Sequence, residues 1–166
     1  EGEWSRFRGP NGSGISNAKT VPVQWTDKDY NWKVTLPGQG HSSPVIWGHQ
    51  VFVTCADPNT AGRSIVCLDT SNGRRLWQKD LVSRKYDQHP DNGYATATPA
   101  ADDDGVVLTW TTPEEVLLLA VDLEGREIWR RSLGPFITVQ GSGISPIIVG
   151  DLVVLDNSQE DPSLVP

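Results

Sequence analysis

Methionine is absent from the 166 residues, and the chain holds 2 cysteines, 3 histidines, 3 phenylalanines and 3 tyrosines. No apolar run approaches the roughly 18 residues of a membrane-spanning helix, and no basic start leads into a hydrophobic stretch, as a signal peptide would require. Because the chain begins at Glu1 and lacks methionine, we expect it to be a trimmed piece of a longer protein. Cys55 and Cys67 have no second Cys or His pair nearby, which argues against a zinc site.

Basic residues are also in the minority. The net charge of −7 and the pI near 4.8 argue against a nucleic-acid partner, because phosphate binding needs a basic face. What the chain has in quantity is 7 Trp, 16 Gly and 12 Pro, within an apolar content of 37%. This composition indicates an ordered, strand-rich protein rather than a disordered one.

A repeated segment is the strongest signal in the sequence. "SSPVIWGHQVFV" (42–53), "ATPAADDDGVVL" (97–108) and "ISPIIVGDLVVL" (144–155) each give a small residue, Pro, a short apolar run, a polar turn and a second apolar run. Each copy predicts a strand, a tight turn and a strand. The run "ADDDG" (101–105) is rich in oxygens that could bind Ca²⁺, but its place in the repeat favours a hairpin turn.

In the first two repeat units, a second shared pattern follows the segment just described. "IVCLDTSNGRRLW" (65–77) and "LLAVDLEGREIW" (118–129) each give an apolar strand, Asp, a turn and Gly-x-x-x-Trp. A partial earlier copy, "YNWKVTL" (30–36), places Trp32 where the first copy has its Trp. The motif residues of the two copies are Asp69, Gly73 and Trp77, then Ala120, Asp122, Gly125 and Trp129.

The two halves together predict four short strands in each unit of about 50 residues, which is typical of a β-propeller blade. A β-sandwich is the alternative, but it gives no reason for Gly-x-x-x-Trp to recur with the hairpin. In a propeller, one Trp per blade can pack between neighbouring sheets, and its burial contributes at most about 4–6 kcal/mol. The leucine-rich segment 113–123 could form a helix, but its register with the first copy favours a strand.

These units resemble the repeat of pyrroloquinoline-quinone (PQQ) propellers, whose motif runs Ala-x-Asp-x-x-Thr-Gly-x-x-x-Trp. Cys67 replaces the Ala and Asn72 the Thr in the first copy, and the second copy is one residue shorter. The opening "WSRFRGPNGSGIS" and the later "WKVTLPGQGHSSPV" are similar to the start of BamB-like propeller proteins described from planctomycete-type bacteria. The resemblance covers essentially the whole chain and implies an all-β fold, a β-propeller of PQQ-like four-stranded blades, present as an incomplete arc.

The resemblance also divides the chain. Residues 1–37 would form a lead-in and the outer strand of the closing blade, 38–90 the first full blade, 91–138 the second, and 139–166 the start of a truncated third. The end of each connection that leads into a blade's first strand would face the funnel of the propeller. We expect polar residues at this mouth: His41, Ser42, Tyr94 and Ser142.

The two cysteines leave an alternative open. They fall on the second and third strands of one blade, and pairing symmetric about Ala61 would place Cys55 opposite Cys67. In an exported protein they could form a disulfide, whose Cβ separation is slightly shorter than that of cross-strand neighbours. The alternative is a pair of buried free thiols.

Two classes of function follow from the resemblance. The first is a non-catalytic binding or scaffold module of a periplasmic or secreted bacterial protein, whose ligand is a protein or polymer and which needs no cofactor. The second is part of a PQQ- and Ca²⁺-dependent alcohol or sugar dehydrogenase, with PQQ and Ca²⁺ bound only in the full-length protein. No ligand set for PQQ or Ca²⁺ can be matched in these residues, which favours the first class. A sensor domain attached to a kinase or hydrolase is a third reading.

Overall fold

The computed structural model describes residues 3–138 and 142–159. The described part of the chain is all-β, as the repeats predict, and its strands form three antiparallel sheets. The described residues contain no helix with the length and apolar character needed to cross a bilayer. The strands are β1 (Val45–Trp47), β2 (Gln50–Ala56), β3 (Arg63–Asp69), β4 (Arg75–Leu81), β5 (Ala100–Asp102), β6 (Gly105–Thr111), β7 (Val116–Val121), β8 (Glu127–Ser132), β9 (Ile147–Val149) and β10 (Leu152–Val154).

Each of the first two sheets is a four-stranded meander in chain order, β1-β2-β3-β4 and β5-β6-β7-β8, and β9-β10 form a third hairpin. The two full sheets also share an irregularity. The register of the third and fourth strands shifts between Cys67 and Leu68 in the first sheet and between Ala120 and Val121 in the second. Each shift lies just before the predicted Asp-to-Gly turn, so the two units repeat in backbone detail as well as in sequence.

The leucine-rich segment is the strand β7, as its register with the first copy predicts. All of its residues, Val116–Val121, are buried. A strand that is covered on both faces has no polar side to alternate with, so its sequence is a continuous apolar run. The sheet that contains it is therefore the middle layer, packed between the first sheet and the β9-β10 hairpin.

The sheets approach one another most closely at their first strands, where β1 lies beside β5 and β5 beside β9. Phe52 and Ile65 of the first sheet pack against Leu108 and Leu119 of the second in one apolar core. Sheets that converge on their first strands and stack face to face are arranged as blades about an axis. The described residues form an incomplete β-propeller arc, as predicted.

Tryptophans join the blades at their outer side. The indole of Trp77 packs against Gly125 in the turn of the second sheet, and its N–H donates to the carbonyl of Leu123 at 2.7 Å. Trp32 repeats this one blade earlier: it packs against Gly73, and its N–H donates to the carbonyl of Thr70 at 2.8 Å. Each tryptophan therefore docks on the glycine turn of the next unit.

The remaining motif residues shape these turns. The carboxylate of Asp69 accepts the amide of Ser71 at 2.7 Å, and that of Asp122 accepts the amide of Arg126 at 2.8 Å. Hydrogen bonds from the hydroxyl and then the amide of Ser71 hold the pKa of Asp69 below its usual range. Ala120 is buried opposite Trp129, which packs beside Ile148, Val153 and Leu155 of the third unit.

Hydroxyl side chains join the blades near the axis. The amide of Ser43 donates to Thr98 Oγ1 at 2.9 Å, and the amide of Thr98 donates to Ser145 Oγ at 3.0 Å. One strand further out, Thr54 and Thr109 donate their hydroxyls to the carbonyls of the next unit, at Ala97 (3.2 Å) and Ile144 (2.8 Å). The same contacts recur from blade to blade. They hold adjacent sheets together both at the first strand and one strand further from the axis.

The lead-in lies against the first strands. Trp4 pairs with Ile46 through two backbone hydrogen bonds of 3.1 and 2.9 Å, and the carbonyl of Ser5 accepts the amide of Ala101 at 2.8 Å. Arg6 folds the following turn by donating to the carbonyls of Gly9 and Pro10. The start of the lead-in, Trp4 and Ser5, therefore lies across β1 and β5.

The segment 30–36 covers the outer face of the first sheet through Trp32 and Leu36 and has no strand partner within the described part of the chain. Its role as the outer strand of a closing blade stays a prediction. Of the predicted third unit, residues 139–141 and 160–166 lie outside the described residues, as do 1–2 of the lead-in.

The predicted placement of Cys55 opposite Cys67 on neighbouring strands, on which the disulfide alternative depends, is wrong. Cys55 lies opposite Ser64, and Cys67 lies opposite Phe52, so the thiols fall on opposite faces of the sheet. Both are free and buried. The turn that joins β2 to β3 is centred between Asn59 and Thr60 rather than on Ala61. The partner of Cys55 is therefore Ser64, three residues before Cys67, and a shift by an odd number of residues places the two thiols on opposite faces.

Candidate functional site

A pocket of about 350 Å³ opens at the end of the first sheet where β2 ends and the chain enters β1. One wall is the segment 39–41, and the other is the connection between the blades, residues 86–94. Of the predicted funnel-mouth residues, His41 and Tyr94 line this pocket.

The two predicted serines lie elsewhere. Ser42 Oγ donates to the carbonyl of Thr54 at 3.0 Å, so this hydroxyl is used within the sheet and does not line the pocket. Ser142 borders a much smaller niche on the far side of Tyr94, next to Thr96. The structure therefore brings together half of the predicted set.

A pair of tyrosines forms the floor of the pocket. The rings of Tyr86 and Tyr94 meet edge to face with centroids 5.2 Å apart. Their hydroxyls are engaged inside the protein: Tyr94 donates to the carbonyl of Tyr86 at 3.1 Å, and Tyr86 donates to the carbonyl of Thr111 at 2.6 Å. The two hydroxyls are therefore already used as donors within the protein.

A buried arginine holds this floor in place. Arg63 is 5% exposed and donates to the hydroxyl of Tyr86 at 3.0 Å and to the carbonyl of Thr111 at 2.6 Å. Its guanidinium lies 5.9 Å from the centre of the Trp110 ring. Burial lowers the pKa of Arg63, and among the described residues no carboxylate pairs with it. Within that same part of the chain, the Nε of Arg63 and the Nε1 of Trp110 have no hydrogen-bond partner.

Sequence reasoning missed Arg63 and Tyr86 as site residues. Arginine is seldom buried, so its position in a strand would ordinarily be assigned to the surface. A signal was present: the second repeat has Val116 at the place of Arg63, which marks that position as an interior one.

Free polar side chains surround the tyrosine floor. Four side chains line the pocket and make no side-chain hydrogen bond within the described part of the chain. They are the side-chain amides of Gln39 and Gln88, the imidazole of His41 and the carboxylate of Asp87. His89 differs, since its Nδ1 accepts the amide of Asp91 at 3.3 Å within a turn. The rim can therefore both donate and accept hydrogen bonds to a ligand.

The pocket and the described residues can be compared with what PQQ and Ca²⁺ would need. PQQ carries several carboxylates, yet the described residues that line the pocket include no Lys or Arg. Within residues 3–138 and 142–159, no group of three or more His, Cys, Asp or Glu is placed to hold a metal ion. The oxygens of "ADDDG" instead form the predicted hairpin turn, where Asp102 accepts the amides of Asp104 and Gly105.

Comparisons with known proteins agree with this architecture. A search of curated protein sequences found no match. Among solved structures, the crystal structure of BamB from Moraxella catarrhalis is similar, with a TM-score of 0.53 and 22% sequence identity. The similar region covers 75% of this chain and 36% of that BamB chain, so this chain spans little more than a third of its length. At this identity the likeness shows the fold.

The family comparison extends over most of the sequence. Residues 16–160 match the family described as "Outer membrane protein assembly factor BamB". This stretch contains both full sheets, the β9-β10 hairpin and the docking tryptophans. The chain therefore belongs to the BamB family of PQQ-like β-propellers.

Proposed function

We propose that this chain is part of a non-catalytic binding module of an exported bacterial protein, and that a protein or polymer ligand docks at the pocket between segments 39–41 and 86–94. The observation that carries the proposal is the anchored tyrosine floor with unengaged polar side chains around it. A pre-ordered aromatic surface with a few polar groups is typical of a binding site. The family description, which names an assembly factor of outer membrane proteins, supports a location outside the cytoplasm and a protein partner.

The chemistry of the pocket is compatible with a binding site. Its described lining residues include no Ser, Thr, Cys or Lys that could act as a nucleophile. The tyrosine hydroxyls are both donated to backbone carbonyls, which removes them from proton transfer to a ligand. The groups that remain free, two amides, an imidazole and a carboxylate, suit recognition.

Hydrogen exchange followed by mass spectrometry tests the site. The chain is mixed with a cell-envelope extract from a Gram-negative bacterium, divided into a protease-treated and an untreated half. Slower exchange in residues 39–41 and 86–94, with unchanged exchange in the turn 48–49 at the opposite end of the sheet, is expected. Unchanged exchange in 39–41 and 86–94 in both halves would contradict the proposal.

A second assay tests the absence of catalysis. The chain is given PQQ and Ca²⁺, and reduction of an electron-accepting dye is followed with a panel of alcohols and sugars. We expect no reduction above the rate of free PQQ. Turnover that depends on the chain would show that the module is a dehydrogenase.

A further inference from the structure

The charge at the pocket limits what it can bind. Its described lining includes one free carboxylate, Asp87, and two imidazoles, His41 and His89, with no Lys or Arg. A polyanion such as a nucleic acid or a sulfated glycan would find no fixed positive charge to pair with. The pocket therefore disfavours an anionic ligand.

The polar rim favours a ligand that both donates and accepts hydrogen bonds. The side-chain amides of Gln39 and Gln88 each offer a carbonyl oxygen and two N–H donors, and neither is engaged within the described residues. An imidazole and a carboxylate, from His41 and Asp87, stand beside them. Sugar hydroxyls are the complementary chemistry, because each one is both a donor and an acceptor.

The tyrosine floor of the pocket suits the apolar face of a sugar ring. The hydroxyls of Tyr86 and Tyr94 are both donated to backbone carbonyls, so what these two lining residues still have to offer a ligand is their rings. The C–H groups of a pyranose ring form an apolar face that can lie on such a surface. The hydrogen bonds from Arg63 to Tyr86 and Thr111 fix this surface before a ligand arrives, which reduces the entropy lost on binding.

The backbone beside the pocket disfavours an extended peptide. A peptide that added a strand would need free backbone N–H and C=O groups. Here Gln39 already exchanges two hydrogen bonds with Ala56, of 2.8 and 2.7 Å, and the amide of His41 donates to the carbonyl of Ala95 at 2.9 Å. These backbone groups of the wall 39–41 are therefore already paired, so a peptide strand could not add at Gln39 or at the amide of His41.

We infer that this pocket binds a short stretch of neutral carbohydrate, with its sugar ring on the floor made by Tyr86 and Tyr94 and its hydroxyls on the amides of Gln39 and Gln88. The inference rests on the proposed function and deepens it by naming the ligand class. A volume of about 350 Å³ lies at the small end of the range for ligand sites, which suits a short segment of a polymer rather than a large cofactor.

Nitrogen-edited NMR of the chain tests the inference with defined probes. These are tetrasaccharides of glucose and of N-acetylglucosamine, a sulfated tetrasaccharide and a neutral peptide rich in Gly, Ser and Pro. We expect at least one neutral tetrasaccharide to shift the amides of 39–41 and 86–94, and the sulfated one to leave them unchanged. The double substitution Gln39→Ala/Gln88→Ala should weaken this binding at least tenfold, whereas Gln24→Ala, at an exposed position away from the pocket, should not change it.

The outcomes separate the two proposals. Shifts at 86–94 produced by the peptide alone would overturn the carbohydrate inference and leave the binding module standing. Preference for the sulfated probe, or no shift with any neutral tetrasaccharide, would also overturn the inference. If the envelope extract in addition leaves hydrogen exchange at 86–94 unchanged, the proposed function fails as well.

Discussion

The indole ring of Trp77 lies so close to Gly125 of the next sheet that a Cβ placed on this glycine would stand 2.8 Å from the ring. Gly125 also has a φ of +84°, a conformation that other residues seldom adopt. Trp32 and Gly73 repeat the contact one blade earlier, with a corresponding separation of 2.6 Å. The recurring Gly-x-x-x-Trp is thus one half of a contact between blades: the Gly receives the preceding Trp, and the Trp docks on the following turn.

Substitution of Gly125 by Ala should destabilise the chain by more than the backbone conformation alone explains. The methyl group must displace the Trp77 indole, and overpacking of a close contact costs about 1–3 kcal/mol. Gly150 provides the control, because its φ is also positive, at +56°, and no atom lies within 4 Å of an added Cβ. Urea unfolding of the two variants measures the difference.

Equal losses of stability in Gly125→Ala and Gly150→Ala would mean that the cost is backbone strain only. That result would contradict the docking of Trp77 on Gly125. In the reciprocal variant, Trp77→Ala, we expect a loss below the range of about 3–5 kcal/mol for a fully buried aromatic side chain, because Trp77 is only partly buried.

Thr98→Val should destabilise the contact between blades near the axis. Thr98 is 2% exposed, and its hydroxyl accepts the amide of Ser43. Valine keeps the shape but leaves this amide without its partner, at a cost of about 1–3 kcal/mol. Thr98→Ser retains the hydroxyl and is the matched control. A Val variant as stable as the Ser variant in thermal unfolding would show that this hydrogen bond carries no weight.

The two thiols should stay unmodified in the folded chain. Burial raises the pKa of Cys55, and burial followed by the charge of Asp69 raises the pKa of Cys67 to about 12. Because the thiolate is the reactive form, labelling by iodoacetamide at pH 8 should be slow until urea unfolds the chain. Mass spectrometry counts the labels. Fast labelling before unfolding, or loss of both thiols on mild oxidation, would contradict the observed register.

The raised pKa of Cys67 also gives stability a pH dependence. The unfolded thiol titrates near 9.0, so its contribution is fully present below that pH and declines as the pH rises from 9.0 towards about 12. Cys67→Ala should lose less stability over this window, because it lacks the group. Ala is a fitting replacement, since Ala120 holds the equivalent place in the second blade. Parallel curves for the two proteins would refute the assignment.

Tyr86→Phe should make the segment 86–94, which holds the tyrosine floor, less rigid. The change removes the hydrogen bond to Thr111 and one acceptor of the buried Arg63, at a cost of about 1–3 kcal/mol. Hydrogen exchange in 86–94 should speed up more than exchange in β7. Tyr30→Phe, at a residue 48% exposed, is the control and should leave both rates as they are. Unchanged exchange at 86–94 in Tyr86→Phe would mean that Arg63 does not position the floor.

The features that recur in the chain were the ones that its sequence could predict. Trp77 and Trp129 return at a fixed distance from a glycine, and each repeat carries the same local turn chemistry, so the blade could be inferred from short-range patterns. The residues of the pocket, which come from two separate segments, were harder to predict from the sequence. His41 and Tyr94 followed from their place in the repeat, but Tyr86 lies in a connection that the repeat does not define.

One wrong prediction, the partner of Cys55, and one omission, the burial of Arg63, have a physical cause in common. The register of Cys55 depends on the turn between β2 and β3, where Ala61 adopts a φ of +59° without being a glycine. The burial of Arg63 depends on partners far along the chain, Tyr86 and Thr111. Both outcomes are set by geometry that local propensity does not encode, and a slip of one or three residues reverses which face a strand side chain occupies.

The most direct test of the account is the proton NMR spectrum of Gly125. If Trp77 docks on this glycine, the ring current should move its Hα resonances upfield, and they should show nuclear Overhauser contacts to the indole protons that vanish in Trp77→Leu. Hα resonances of Gly125 at ordinary positions, with no contact to the indole, would contradict the docking of one blade on the next.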